Sequence, residues 1–264
     1  PWQALEPAGV EVVKAPLAGE DPEGAIIAAL TDRTRILSVS SVQYGTGLRL
    51  DLERLGRACR ERNILFCVDA IQSLGAHPVD LQAVHADFAV ADGHKWMLGP
   101  EGLAVFYSRP EVRDQLTLRQ HGWHMSDQPG NFDRKEWHPA ESAQRFECGS
   151  PNLLCAHALS ASLSLLLEVG LETVAERIEA RVGRIEERLG ETGNFAFITP
   201  SDPARRAGIF TFRPLGEDMD DAFHRLWNAG VVCARRGGGI RFAPHFYTPM
   251  EVVDRAVDIL LDQG

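Results

Sequence analysis

The sequence predicts an α/β fold: a mainly parallel sheet with flanking helices, followed by a small C-terminal α+β unit. Three observations predict it. Short runs rich in branched apolar residues recur at 10–14, 35–40, 64–68, 88–91 and 103–107. Helix-like runs fall between several of them, at 22–31 and 51–62, and alternation at this spacing argues for crossover connections and parallel strands. From residue 195 onward, short strand-like and helix-like runs alternate again on a smaller scale. The reading divides the chain into a large domain over 1–169 and a small one over 170–264.

Each element has its own local signal. The run at 22–31 opens on Pro22, suited to a first helical turn, and the run at 51–62 opens on Asp51 with Leu52, Leu55 and Cys59 on one face. Residues 108–147 are rich in Gly, Pro, His, Trp and charge and show little periodicity; a stretch of this kind usually serves an active site or an interface. A helix is expected over 153–169. After Gly170 a second runs over 171–189, with Ile178, Val182, Ile185 and Leu189 at helical spacing. The tail reads as strands at 195–199, 209–213, 231–234 and 240–243, with a helix at 219–229. A last helix follows, whose Thr248-Pro249 and Glu251 suggest a capped start.

Composition narrows the function. The 264 residues are 44% hydrophobic, enough to bury a sizeable core, and carry a net charge of −10. No basic stripe interleaved with aromatics stands out, which argues against nucleic acid as a partner. No apolar run approaches the roughly 20 residues that span a bilayer, so a membrane partner is not expected. The opening PWQALEPAG has neither the basic nor the apolar region of a signal peptide. Five cysteines, an odd number without a C-x-x-C pair, fit a reducing cytoplasm better than a disulfide framework or a zinc site. His121 and His124 have metal-ligand spacing but no Cys or acidic neighbours to complete a set, so no metal is expected.

The chemistry concentrates between Asp69 and Gly102. Asp69 follows one strand-like run, and His94-Lys95 follows the next, at 88–91. If the two strands are parallel neighbours, Asp69 and Lys95 share the C-terminal rim of the sheet, where open α/β sheets bind ligands. A lysine amine can form a Schiff base with an aldehyde cofactor, and an aspartate can keep a pyridinium nitrogen protonated. Taken alone, each has a plainer reading: a solvated lysine, and an aspartate that forms a turn or caps a helix.

The whole segment resembles the cofactor-lysine region of the class V aminotransferases. That family includes cysteine desulfurases, selenocysteine lyases, kynureninases and isopenicillin N epimerase. The matching pieces are VDAIQSLG, PVDL, ADF and GHKWMLGPEGLAVFY, then RFECGSPN at 145–152 and IRFAPHFYTPMEVVDRAV at 240–257, in the family's order. The resemblance implies the fold-type-I architecture of pyridoxal 5′-phosphate (PLP) enzymes. Relatives of this kind carry a further part ahead of Pro1-Trp2, so the chain is expected to be truncated, with an incomplete large domain.

The resemblance also implies roles. Lys95 matches the lysine that carries the cofactor and then moves the Cα proton, and Asp69 the aspartate paired with the pyridine nitrogen. Gln72 matches a glutamine that hydrogen-bonds the phenolic oxygen, and His94 a histidine beside the phosphate. Ser150 stands where relatives have a threonine that reaches the phosphate of a neighbouring subunit, which implies a homodimer; Ser150-Pro151 also reads as an ordinary helix start. Arg241 matches the arginine that clamps the substrate carboxylate, and Ser41 and Gln43 lie where relatives contact substrate. Two departures stand out. Asp92 replaces a serine that in many desulfurases donates to the phosphate, and no cofactor role is assigned to it. The loop Gly237-Gly238-Gly239 has no cysteine, and Cys233 falls in a strand-like run, which disfavours persulfide chemistry. The expectation is an enzyme acting at the α-amino group of a small amino acid, as aminotransferase or C–S lyase, with epimerisation also open. The rival is an inert, truncated fragment.

Overall fold

The computed structural model describes residues 1–262 and contains two four-stranded sheets. The first has the order β1 (Ile36–Ser40), β2 (Leu65–Asp69), β3 (Phe88–Asp92), β4 (Ala104–Ser108). β1, β2 and β3 are parallel, with Ser40 beside Asp69 and Asp69 beside Val90; β4 returns antiparallel, with Asp92 beside Ala104. The sheet is therefore mixed and mainly parallel, flanked by α1 (Pro22–Ala28) and α2 (Leu52–Glu61).

Local chemistry sets the helix ends. Asp51 caps α2 by accepting from the Arg54 N–H at 2.9 Å, and Asp21 caps α1 by accepting from Gly24. The expected helix at 22–31 stops at Ala28 because the Thr34 hydroxyl takes the Thr31 N–H, offering the chain a turn in place of another helical bond. α2 buries Leu52, Leu55, Gly56 and Cys59. These pack with Ile64, Phe66 and Val68 in the core of the first sheet. Gly56 lets the helix touch the loop leading into β3, since a Cβ there would sit 1.9 Å from the Val84 carbonyl oxygen. Gly56→Ala is expected to cost about 1–3 kcal/mol through overpacking. Urea unfolding should show the lowered midpoint.

The expected strand at 10–14 does not form. Residues 10–18 have no regular structure, and Val10 and Val13 are exposed. β-branched residues favour a strand only where a neighbour supplies the ladder and a face to pack against, and no strand lies beside this segment among the described residues. After β4 come the single turn α3 (Pro110–Arg113) and two short 3₁₀ turns, Trp123–Met125 and Ala143–Phe146, within an otherwise irregular stretch.

The long helix α4 (Leu153–Val169) is apolar around most of its circumference, and Leu153, Leu154 and Leu167 are exposed on it. Its cap is Asn152, which accepts from the Cys155 N–H; Ser150, the expected start, stands two residues outside. An 81° bend at Gly170 leads into α5 (Leu171–Gly190), and no single helix among the described residues is long and apolar enough to cross a membrane.

The second sheet, antiparallel throughout, has the order β5 (Phe195–Phe197), β6 (Phe210–Pro214), β8 (Gly239–Phe242), β7 (Ala234–Arg236). α5, α6 (Met219–Asn228) and α7 (Met250–Leu261) cover it, and Phe210, Phe212, Ile240, Leu226 and Val257 form its core. Thr248 does not cap α7 as expected. Its hydroxyl accepts instead from the His245 N–H, and the helix begins without a side-chain cap. A third cluster joins the two halves: Ala76, Trp96, Leu166, Val174, Ile178, Ile209 and Phe246.

Candidate active site

The parallel register of β2 and β3 places Asp69 at the end of one strand and the turn carrying Lys95 just past the end of its neighbour. Asp69 is fixed from two sides. Ser40 Oγ donates to Oδ2 and the Ile71 N–H to Oδ1, both at 3.0 Å. These donors hold the carboxylate at the rim and leave its remaining lone pairs for a cationic group.

Lys95 sits in a closed turn: the Leu98 N–H donates to the Lys95 carbonyl, and the Gly99 N–H to the Gly93 carbonyl at 2.8 Å. The chain has three lysines. Lys14 and Lys135 are exposed, whereas Lys95 is partly buried.

Three further contacts tie the Lys95 turn to the loop after β2 and to the second half of the chain. The Trp96 indole N–H donates to Gln72 Oε1 at 2.9 Å, with both side chains buried. Gly75, at φ +90°, lies against the Trp96 carbonyl, where a Cβ would approach to 2.4 Å. His245 Nε2 donates to that same carbonyl at 3.0 Å, and its ring packs 5.1 Å from the indole. Because His245 Nδ1 accepts from the Phe246 N–H, the ring is the neutral Nε2–H tautomer. Burial pushes its pKa down.

Arg241, on β8, reaches the same region. One guanidinium nitrogen donates to the Tyr44 carbonyl at 2.8 Å. The loop behind Tyr44 is held by Thr211, which donates to the Gly45 carbonyl, and by Thr199, which donates to the Thr46 carbonyl. Gln43, one residue before Tyr44, donates to the Ser40 carbonyl, and Ser40 in turn holds Asp69. Arg241 Nε is buried without a partner, and burial pushes the guanidinium pKa down. A partly buried cation of this kind gains from an incoming carboxylate.

The structure thus brings Asp69, Gln72, Lys95, Gln43 and Arg241 into one connected set of loops. It does not bring Ser41 with them. Ser41 is 2% exposed, and its hydroxyl turns inward to the Ser73 hydroxyl and the Asp69 carbonyl. The expected substrate contact is corrected to a strut behind the Asp69 loop, because Ser41, just past β1, spends its hydroxyl on these two partners while Ser40, the last residue of β1, holds the Asp69 carboxylate. His94 and Ser150 are both exposed. Asp92, at the end of β3, is partly buried. Cys233 lies just before β7, packed against the second core, and burial raises its thiol pKa.

Other features fall outside this set. A cavity of about 760 Å³ lies at the opposite, N-terminal ends of β2 and β3, lined by Asn63, Asp87, Arg109 and their neighbours. His121 packs edge-on against Trp137, and His124 faces Glu147 at 3.5 Å. No group of three or more metal-capable side chains occurs among the described residues. Sequence reasoning missed Ser40, Trp96 and His245. The position of Trp96 directly after Lys95 was the one available signal; the other two depend on which strand and loop become neighbours.

The model of the family described as aminotransferase class-V matches residues 1–248. A curated relative, the uncharacterized aminotransferase YcbU of Bacillus subtilis, is 28% identical over 97% of this chain and 67% of its own length. The apo cysteine desulfurase of Thermococcus onnurineus has a similar structure, with TM-score 0.85 and 24% identity over 98% of this chain and 68% of that one. A C-DES mutant whose structure has glycine covalently linked to its PLP cofactor gives TM-score 0.83 and 22% identity, over 94% of this chain and 66% of that one. The chain spans about two thirds of the length of these relatives. With its mixed sheet and flanking helices, it has the fold of PLP-dependent fold-type-I proteins and belongs to the class-V aminotransferase family.

Proposed function

We propose that this chain binds pyridoxal phosphate through Lys95 and acts at the α-amino group of a small amino acid. One observation carries the reading: the single partly buried lysine lies in the turn that follows β3, and the parallel neighbour β2 ends on a doubly held aspartate, so both stand past the C-terminal ends of adjacent strands. The residues present fit the cofactor. Asp69 supplies the anion opposite a pyridinium nitrogen, Lys95 the amine for the aldehyde, and Gln72 an amide for the phenolic oxygen. His94 and Ser150 are the proposed phosphate donors. The exposed Ser150 suits a phosphate held by a second subunit, so a homodimer is part of the proposal. So is a cytoplasmic location, supported by the odd number of cysteines without a C-x-x-C pair.

When bound, pyridoxal phosphate supplies the electron sink that lets a bond to the substrate Cα break. The protein does the rest. Arg241 orients the substrate by its carboxylate, using the planar fork that suits bidentate pairing. The Lys95 amine takes and returns the proton at Cα, a step shared by transamination, elimination and epimerisation. Persulfide transfer receives no support from Cys233, whose half-buried thiol is held protonated.

Purified protein mixed with pyridoxal phosphate should acquire a visible absorption band, and borohydride should fix the label on Lys95. Lys95→Ala should show neither. Labelling at Lys14 or Lys135 instead rejects the reading. Arg241→Ala should weaken amino-acid binding on the order of 10- to 100-fold, the worth of one charged hydrogen-bonded contact, while cofactor affinity holds. Equal substrate affinity in variant and parent rejects the clamp. A second reading, a polypeptide that packs without turnover, draws on the apolar side chains left at the surface of α4, with Leu154 82% exposed. It predicts no band at all.

A further inference from the structure

We infer that Trp96 is a positioning residue for Gln72: its indole N–H turns the Gln72 carboxamide so that the NH₂ group, not the carbonyl, faces the phenolic oxygen of the cofactor held by Lys95. The inference rests on the proposed function and adds a residue to it.

The argument begins with what each group can do. An indole N–H only donates, so the Gln72 atom 2.9 Å from it is the carboxamide oxygen. The two ends of a carboxamide have nearly the same shape, so a glutamine without such a partner presents either. Here the choice is made. With Oε1 engaged, Nε2 points away from the indole, has no partner among the described residues, and is not one of the buried polar atoms sealed from solvent. Gln72 therefore offers a donor to whatever occupies the rim, three residues beyond Asp69.

Trp96 is itself held firmly enough to impose that choice. It is 5% exposed, and its ring lies against Gly208, where a Cβ would come within 2.3 Å of the indole. On another side the ring meets His245, which also donates to the Trp96 carbonyl. Because Trp96 directly follows Lys95 in the same turn, one rigid segment places both the amine and the group that orients its neighbour.

The consequence is electrostatic. A donor at the phenolic oxygen favours the anionic form of that oxygen, while a carbonyl turned toward it opposes that form. Without the indole N–H, Gln72 loses its preference and the site holds its proton to higher pH. In Trp96→Phe, the pH midpoint of the colour change of the lysine-bound cofactor should rise by about one unit, a roughly tenfold change in proton affinity. Gln72→Glu keeps an acceptor for the indole but replaces the donor with a second oxygen, so its midpoint should rise further. A purely structural role for Trp96 predicts a lowered melting temperature with an unmoved midpoint.

The experiment is a spectroscopic pH titration of the parent chain, Trp96→Phe and Gln72→Glu, each loaded with pyridoxal phosphate. A midpoint in Trp96→Phe equal to the parent's, with Gln72→Glu shifted, overturns the role of Trp96 and leaves the cofactor reading intact. Absence of the visible band from the parent removes both. If Trp96→Phe does not fold, the Trp96 indole N–H resonance of the parent decides. Slow solvent exchange that becomes fast in Gln72→Leu supports the bond, and fast exchange in the parent overturns it.

Discussion

Arg206→Ala is expected to destabilise the protein by about 3 kcal/mol or more, the cost of breaking a buried ion pair by removing one partner. Arg206 is 3% exposed and meets two carboxylates of α5, Glu179 and Glu186, each at 2.6 Å. It also donates to the Pro200 and Ser201 carbonyls. Its neighbour Arg205 turns the other way, to the buried Glu23 of α1, which in turn accepts from the Asp51 N–H at the start of α2. Arg205 thus fastens the second half of the chain to the first, while Arg206 ties the segment ahead of β6 to α5. Without the guanidinium, two carboxylates face each other and two carbonyls lose a donor. Glu179 and Glu186 keep some access to water, which places the expected loss at the lower end of the range for buried pairs. Chemical denaturation at neutral pH measures it. Glu179→Gln with Glu186→Gln should recover part of the deficit. A variant as stable as the parent would mean that the ion triad contributes nothing to folding.

The parts of this fold that were legible in the sequence are those fixed by local pattern. The apolar runs that became β2 and β3, the Asp51 cap, and the helical spacing from Ile178 to Leu189 are properties of neighbouring residues. They survive whatever the rest of the chain does. Val10 to Lys14 had an equally good strand pattern and failed, because a strand also needs a ladder that no local pattern supplies. Thr248 and Ser150 failed as caps for a related reason. Each hydroxyl had the right position, but the His245 backbone claimed one, and Asn152 lay closer to the α4 start than the other. At the site, Asp69 and Lys95 could be placed on one rim because parallel neighbours follow from alternation. Ser40, Trp96 and His245 could not, since each acts across a gap in sequence. His245 meets Trp96 across 149 residues, a contact that exists only once the second half of the chain has docked.

That docking contact makes acid a probe of the site. Two histidines have pKa values below the ordinary value near 6.5: the buried His245, and the partly buried His77 in the loop after β2, which desolvation pushes down to about 4. His77 Nδ1 donates to the Pro78 carbonyl, and Nε2 is buried without a partner, so a second proton would create an unsatisfied cation near Arg49. A second proton on His245 Nδ1 would break the bond from the Phe246 N–H, with Arg181 nearby opposing the added charge. In both cases the unfolded chain binds the proton more readily, so stability is fully present above about pH 6.5 and falls as pH drops toward the folded-state value. For His77 the gap from 6.5 to about 4 is worth roughly 3 kcal/mol at 1.36 kcal/mol per unit. The aspartates held by arginines do not obscure this window, because Asp21 is lowered to about 2, and Asp127 and Asp254 are also lowered. Denaturant titrations at half-unit steps from pH 7 to pH 4 should therefore show stability falling in the parent, and falling less steeply in His77→Phe. The difference in slope should reach the value of about one proton, and a variant that follows the parent's slope throughout would remove His77 as the source.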